Sequence, residues 1–264
     1  MRKALVLGFS MFVFCLMPNS LHAQARNPKK TSKPATIAAA ASQPTQQPAA
    51  APSKRNERPT GSGTNGQSAA SYSPVYFYEF TRPGFTYEHI LIEHDDAGKG
   101  KISFQKDSFG EMLTDPIQLT AVTMTNLTSA FSALNFLDSN ENYQTAMDHS
   151  NMGNVSITIK KNGKTRTAKY NWTDNKQAKF LMDEYRRISN EYTWKFEMAV
   201  ARQNQPLQTP SLMDTLNTYI NQSEISDPPH LVPVLTELST DERLPLIARD
   251  HASRIIKQIE KAKK

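Results

Sequence analysis

Apolar and polar residues alternate along several short stretches after residue 73, which is the pattern of half-buried β-strands. One of them, PVYFYEF (74–80), is rich in aromatic residues, and the turn signal RPG follows it closely. The next two, FTYEHILIEH (85–94) and GKISFQK (100–106), are separated only by DDAGK. The pattern therefore predicts a β-hairpin over residues 85–106 with one more strand before it.

A second hairpin is predicted over residues 154–170. Val155, Ile157 and Ile159 fall on one face of a strand in NVSITIK, and KTRTAKY follows after a two-residue turn. That turn is Asn162–Gly163, whose residue types tolerate the positive φ angles of a type I′ turn.

Between the two hairpins, apolar residues recur at steps of three and four, as they do on one face of an α-helix. Met124, Leu127, Phe131 and Leu134 form this stripe within TMTNLTSAFSALNFLDS. Thr123 is suited to be the N-cap of the helix. We therefore expect one amphipathic helix between the hairpins.

A longer helical stripe begins after the second hairpin, where neither Pro nor Gly interrupts the chain from Asp174 to about Gln203. The stripe consists of Ala178, Leu181, Tyr185, Ile188, Tyr192, Phe196 and Ala199. A helix of roughly 30 residues would be about 45 Å long, which exceeds the expected width of the first half of the fold. It should pack on the strands with its first turns and lead into a helical C-terminal region with its last.

Three further helical stretches follow, separated by breaks rich in Pro or polar residues. They are PSLMDTLNTYINQ (210–222), PPHLVPVLTELS (228–239) and DERLPLIARDHASRIIKQIEKAKK (241–264), and Ser239 with Glu242 has the spacing of a capping box. The predicted fold class is α+β: two antiparallel β-hairpins with an intervening helix, then a long helix leading into a C-terminal helical region.

Residues 231–260 of that region resemble a HEAT-type helical repeat unit. LVPVLTELSTDERLPLIARDHASRIIKQIE has a short first helix, a tight polar turn with an aspartate, and a second helix with small Ala252 at the crossing point. Pro245 departs from the common pattern of the repeat and indicates a late start or a kink of the second helix. The resemblance implies a surface for binding another protein. An ordinary helical hairpin is the alternative, since solenoids need about three repeats.

The N-terminus has the composition of a secretory signal peptide, because Arg2 and Lys3 precede an apolar run and small residues stand at Ala23 and Ala25. The run is shorter than the ~20 residues of a membrane-spanning helix, so we expect cleavage and no transmembrane anchor. Cys15, the only cysteine, would leave with the signal. An exported chain without cysteine suits the periplasm of a bacterium or its surroundings.

The sequence thus predicts four segments. They are a signal peptide (1–23), a disordered basic linker rich in Pro, Ala and Ser (24–72), an α+β domain that includes the long helix (73–204), and a C-terminal helical region (205–264). The first two carry charges of +2 and +6 within a total of +6, so the chain from Ser73 onward has a net charge of −2. This balance argues against nucleic-acid binding by the folded part, and it leaves the linker only a screened attraction to anionic envelope polymers.

One stretch, HDDAGKG at 94–100, combines residue types that can bind a metal or move a proton. His94, Asp95 and Asp96 are the candidates. Asp and Gly also favour the reversal of a hairpin because they tolerate left-handed backbone conformations, and adjacent carboxylates lack the ligand spacing of a calcium loop. We therefore expect a turn there and assign no catalytic, metal-binding or cofactor-binding residue and no cofactor.

Trp172 and Trp194 have side chains that can stack on a sugar or a peptide. Trp172 follows the second hairpin and is expected to fill space under the long helix, which leaves Trp194 as the surface candidate.

The function expected from these patterns is that of a non-catalytic, exported module of a bacterial cell envelope. It would bind another envelope protein through its C-terminal helices. The alternatives are an envelope hydrolase or metal-binding protein that uses residues 94–96, and a binder of small ligands or glycans.

Overall fold

Six strands form a single antiparallel sheet in the computed structural model, which describes residues 72–106 and 110–262. The strands are β1 (Tyr76–Thr81), β2 (Tyr87–His94), β3 (Lys99–Lys106), β4 (Met112–Gln118), β5 (Asn154–Lys161) and β6 (Lys164–Tyr170). Their order across the sheet is β4-β3-β2-β1-β5-β6. The predicted signal peptide and all but the last residue of the predicted linker lie outside the described residues.

Both predicted hairpins are present, and β1 joins them into one sheet because it pairs with β2 on one side and with β5 on the other. Tyr78 lies opposite Ile92 and opposite Ile157 in these two pairings. At the turn of the second hairpin, Asn162 and Gly163 have φ angles of 53° and 73°, as a type I′ turn requires. The predicted α+β class is confirmed.

The sequence prediction lacks the edge strand β4. Its residues MLTDPIQ contain Pro116, which normally argues against a strand. At a sheet edge the missing N–H of proline costs no ladder hydrogen bond, so the proline is tolerated and also discourages further pairing.

One face of the sheet is covered by helices α1 (Ala121–Ala133) and α2 (Lys176–Asn204). Ile92, Ile102, Phe104 and Ile157 point to this face and are at most 1% exposed. Burying each such side chain stabilises the fold by about 1.5–3 kcal/mol.

Helix α1 begins earlier than predicted, and its N-cap is Thr120 rather than Thr123. The Thr120 hydroxyl oxygen accepts a hydrogen bond of 3.2 Å from the backbone N–H of Thr123. Both threonines fit the residue preference of an N-cap, so the sequence pattern does not separate them. The helix also ends at Ala133, before Leu134, the last member of the predicted stripe.

Helix α2 has 29 residues and a length of about 44 Å, and it contributes to two hydrophobic cores. The predicted stripe from Ala178 to Tyr192 is buried against the sheet, but Ala199 at its end is exposed. Beyond Tyr192, Phe196 still packs on Phe104 of the sheet, but Trp194, Met198 and Ala201 on another side of the helix are also buried. Trp194 and Met198 belong to the core that the helix forms with the C-terminal helices.

The C-terminal helices are α3 (Thr209–Asn221), α4 (Val232–Thr240) and α5 (Leu246–Ala262). Helix α5 begins directly after Pro245, so the late start that this proline indicated is confirmed. The predicted capping box is wrong, because Ser239 lies inside α4 and its hydroxyl donates to the carbonyl of Thr236. Asp241 occupies the turn instead and accepts hydrogen bonds from the backbone and guanidinium of Arg243.

Candidate functional site

His94 ends β2 on the covered face of the sheet and is completely buried. Its Nδ1 lies 3.0 Å from the carbonyl oxygen of Asp95, and its Nε2 lies 3.0 Å from the hydroxyl of Tyr185. Because a carbonyl can only accept, Nδ1 carries the proton and Nε2 accepts from the Tyr185 hydroxyl. The ring also stacks on Tyr76, with 4.9 Å between centroids. Both ring nitrogens are therefore engaged inside the protein.

Burial lowers the pKa of the His94 imidazole below its ordinary value, because the charged form would lose its hydration. The hydrogen bond to the Asp95 carbonyl and the charges of Asp95 and Asp96 oppose this effect without reversing it. Burial also raises the pKa of the Tyr185 hydroxyl well above its ordinary value. Both partners of this hydrogen bond are thus held neutral near pH 7.

Asp95 and Asp96 form the reversal between β2 and β3, as the turn hypothesis predicted. The Oδ1 atom of Asp95 accepts two backbone N–H groups of the turn, both at 2.9 Å. The Oδ1 atom of Asp96 accepts from the Tyr76 hydroxyl at 3.1 Å and from Lys161 Nζ at 2.7 Å. Neither carboxylate hydrogen-bonds the His94 ring, so the structure does not bring the three candidates together into one site.

Two glycines of this hairpin occupy positions where a side chain would clash. Gly98 has a φ of 78°, and a Cβ atom there would lie 2.9 Å from the carbonyl oxygen of Leu119. A Cβ atom at Gly100 would overlap the backbone carbonyl of Glu93 and lie 2.7 Å from the Cα atom of His94. The glycines therefore allow the close approach of neighbouring backbone segments.

Trp172 was predicted to be buried and Trp194 to be exposed, and the structure shows the reverse. Trp194 is only 2% exposed and its Nε1 donates to the carbonyl of Leu212 at 2.8 Å, whereas Trp172 is 37% exposed. The interpretation of Trp194 as a surface residue is wrong because another side of α2 is also buried here, in the core with the C-terminal helices. The ring of Trp172 lies beside that of His149, with 5.3 Å between centroids.

A buried polar network ties α2 to the segment between α3 and α4. Glu184 is 2% exposed, and its carboxylate accepts from the Ser226 hydroxyl at 2.5 Å and from the Arg187 guanidinium at 3.1 Å. The Ser226 hydroxyl also lies 2.7 Å from that of Thr123 in α1. The network therefore joins the sheet-covering helices to the C-terminal helices.

A second buried carboxylate lies two turns further along α2. Glu191 is 3% exposed, and its Oε1 atom lies 2.6 Å from both Lys195 Nζ and His230 Nδ1. The sequence reasoning did not predict that either carboxylate is buried. The signal that could have identified them is the seven-residue spacing of Glu184 and Glu191, which places both acids on one edge of the apolar stripe.

Helices α3 and α5 run side by side in the same direction. Asp214 pairs with His251 at 3.3 Å. About two turns further along both helices, Asn221 accepts a hydrogen bond of 2.8 Å from Gln258. The two contacts have the same offset along the chain, so the helices advance in parallel and their first turns lie at the same end.

That end exposes three large aliphatic side chains. Leu207, just before α3, is 87% exposed, and Leu246 and Ile247 at the start of α5 are 61% and 63% exposed. We call these three residues the apolar tip.

Neither a metal centre nor a membrane span is apparent in the described part of the chain. Among residues 72–106 and 110–262, no group of three or more His, Cys, Asp or Glu side chains is arranged to hold a metal ion. Within the same ranges, every helix is too short or too polar to cross a membrane. A comparison with models of known protein families found no match, and a comparison with curated proteins found no relative.

Proposed function

We propose that this chain is a non-catalytic, exported protein-interaction module of a bacterial cell envelope, and that the apolar tip anchors its partner protein. The observation that carries the proposal is the exposure of Leu207, Leu246 and Ile247 at one end of two parallel helices. Exposed large aliphatic side chains at the same end of neighbouring helices are candidates for a surface that another protein covers. The signal-peptide pattern at Arg2 and Lys3 supports export.

The surroundings of the tip suit a protein partner. Glu242 and Arg243 in the turn before α5, and Asp250 one turn into it, are exposed and carry charges of both signs. An apolar centre with a polar rim is the usual arrangement of a protein interface. The resemblance of residues 231–260 to a HEAT-type unit supports the same helices as the binding surface.

The tip alone is too small for a stable interface. A stable interface buries about 800 Å² on each partner, and three side chains can supply only part of that area. We therefore expect the tip to be the energetic centre of a contact with another protein, and the polar residues around the tip to supply the remaining area on this chain.

A catalytic or metal-binding function of residues 94–96 finds less support. It would require the His94 ring to reach solvent or a ligand, whereas both of its nitrogens are engaged in the core. Asp95 and Asp96 are occupied by the turn and by Lys161.

Site-specific photo-crosslinking in the cells that export the protein tests the proposal. A benzophenone amino acid would replace Ile247 in one variant and Lys257, an exposed residue further along α5, in the control. We expect one discrete crosslinked partner from position 247 and none from position 257. The same partner should be lost when Leu207→Glu is added to the first variant. A crosslinked pair of two copies of this chain, or equal products from both positions, would contradict the proposal.

A further inference from the structure

The face of the sheet opposite α1 and α2 carries a shallow groove along β1. Two depressions of about 310 and 150 Å³ lie on this face, and both are lined by Glu79 and Ser156. Phe77 and Leu91 line one end, and Asn154 and Lys169 line the other. Because the two depressions share residues, they form one continuous surface, which we call the open-face groove.

The two carboxylates of this face have polar neighbours. Glu79 Oε1 lies 2.9 Å from His89 Nε2. Glu93 Oε1 accepts from the Tyr72 hydroxyl at 2.7 Å and lies 3.2 Å from Lys101 Nζ. Lys101 therefore offsets the charge of Glu93, whereas His89 holds Glu79 by a hydrogen bond.

Two lysines of the same face are left without such compensation. In the described part of the chain, no carboxylate lies within 4.0 Å of the ammonium group of Lys160 or of Lys169, and both residues are exposed. Lys160 Nζ lies 4.4 Å from the ring centroid of Phe77, so it remains at the groove. The open face thus carries the lysines Lys101, Lys160 and Lys169 against the two carboxylates of Glu79 and Glu93. Its positive charges therefore outnumber its negative charges, although the chain from Ser73 onward has a net charge of −2.

The spacing of these two lysines suits an extended ligand. Lys169 in β6 lies opposite Ser156 in β5. Lys160 lies four residues after Ser156 in β5, so the backbone positions of the two lysines are on the order of 13 Å apart. A ligand that follows the strand can contact both side chains without bending either of them toward the other. The hydroxyls of Thr158 and Thr167, 2.7 Å apart, lie between them and can donate or accept hydrogen bonds.

We propose that the open-face groove binds an extended glycan that carries carboxylate groups. A peptide could not add to this surface as a strand, because the backbone groups of β1 and β5 are already used within the sheet. The surface offers instead hydroxyl, amide and ammonium groups along its length and the apolar side chains of Phe77 and Leu91 at one end, and these match the hydroxyls, carboxylates and apolar faces of sugar rings. This site does not depend on the apolar tip.

Binding of defined polymers to the full chain tests the proposal. The probes are oligogalacturonate as a carboxylated glycan, dextran as a neutral glycan and polyglutamate as an acidic peptide, each at two salt concentrations. The variant Lys160→Gln/Lys169→Gln is compared with Lys176→Gln/Lys257→Gln, which removes two exposed lysines elsewhere. Both variants keep the basic linker and have the same net charge, so nonspecific attraction affects them equally.

We expect oligogalacturonate to bind the wild type and the control variant equally, and the groove variant on the order of tenfold more weakly. Dextran should bind none of them. Equal weakening in both variants, or no binding to the wild type, would overturn the proposal. Polyglutamate binding with the same dependence on Lys160 and Lys169 would overturn the choice of a glycan in favour of an acidic peptide.

Discussion

The hydroxyl of Tyr185 donates a hydrogen bond of 3.0 Å to Nε2 of His94, and this contact joins the middle of α2 to the last residue of β2. Tyr185 also stacks on Tyr78, with 4.7 Å between centroids and an angle of 10° between the rings. All three side chains are buried. The histidine that looks most like a catalytic residue in the sequence is therefore part of the packing between sheet and helix.

The pH dependence of folding stability should reflect this position. Because burial lowers the pKa of His94 in the folded state, the unfolded chain binds the proton more readily once the pH falls below about 6.5, the ordinary value. The free energy of unfolding should therefore decrease as the pH drops below 6.5 and should be unaffected by this group above it.

Urea unfolding of the wild type and of His94→Gln between pH 5 and pH 8 measures this effect. The variant should be less stable at pH 8 but should lose less stability on acidification than the wild type. His149→Gln serves as a control on a half-exposed histidine. If His94→Gln keeps the full pH dependence, the buried neutral imidazole is not its source.

In the hairpin, the glycines should be more important for stability than the aspartates. Gly98→Val should cost about 1 kcal/mol or more, because a β-branched side chain is strained at a positive φ and Leu119 leaves no room for it. Asp95→Asn with Asp96→Asn should cost less than about 1 kcal/mol, since Asn can accept the same backbone N–H groups and the pair with Lys161 is exposed. Thermal unfolding of both variants gives the ranking, and the opposite ranking would contradict the turn interpretation.

Local patterns predicted most of the elements, because alternation, helical spacing and turn residues act over a few neighbouring positions. Asn162–Gly163 and the start of α5 after Pro245 belong to this class. The edge strand β4 could not be predicted in this way, because only its place at the sheet edge makes Pro116 acceptable.

Contacts between distant residues account for the remaining differences. Trp194 is buried because the C-terminal helices cover it, and nothing in the neighbouring sequence reports this additional partner. The apolar tip was likewise not predictable, since it depends on the parallel arrangement of α3 and α5. The turn at Asp95 and Asp96 was predictable because its hydrogen bonds are local.

The polar network around Glu184 should contribute measurably to the attachment of the C-terminal helices. Ser226→Ala removes one of the two hydrogen bonds to a carboxylate that is 2% exposed, so we expect a loss of about 1–3 kcal/mol in the free energy of unfolding. Thr218→Ala is a suitable control, because that hydroxyl bonds only to its own helix, and its effect should stay within about 0.5 kcal/mol. Equal effects of the two substitutions would show that the network adds no stability.

Processing of the N-terminus provides a test of export. Intact-mass analysis of protein recovered from the periplasm or the medium should show the loss of the first 23 or 25 residues and no reaction with a thiol reagent, because Cys15 is removed with the signal. A retained Cys15, with or without a lipid, would contradict the proposed location.

Calorimetric unfolding of the untagged protein, with and without millimolar calcium, magnesium or zinc, tests most directly whether residues 94–96 form a turn or a metal site. The scan is repeated on Asp95→Asn/Asp96→Asn. If the chain is a binding module in which these residues only form the hairpin, none of the cations should raise the Tm of either protein. A cation that raises the Tm of the wild type by mass action but not that of the variant would contradict the account.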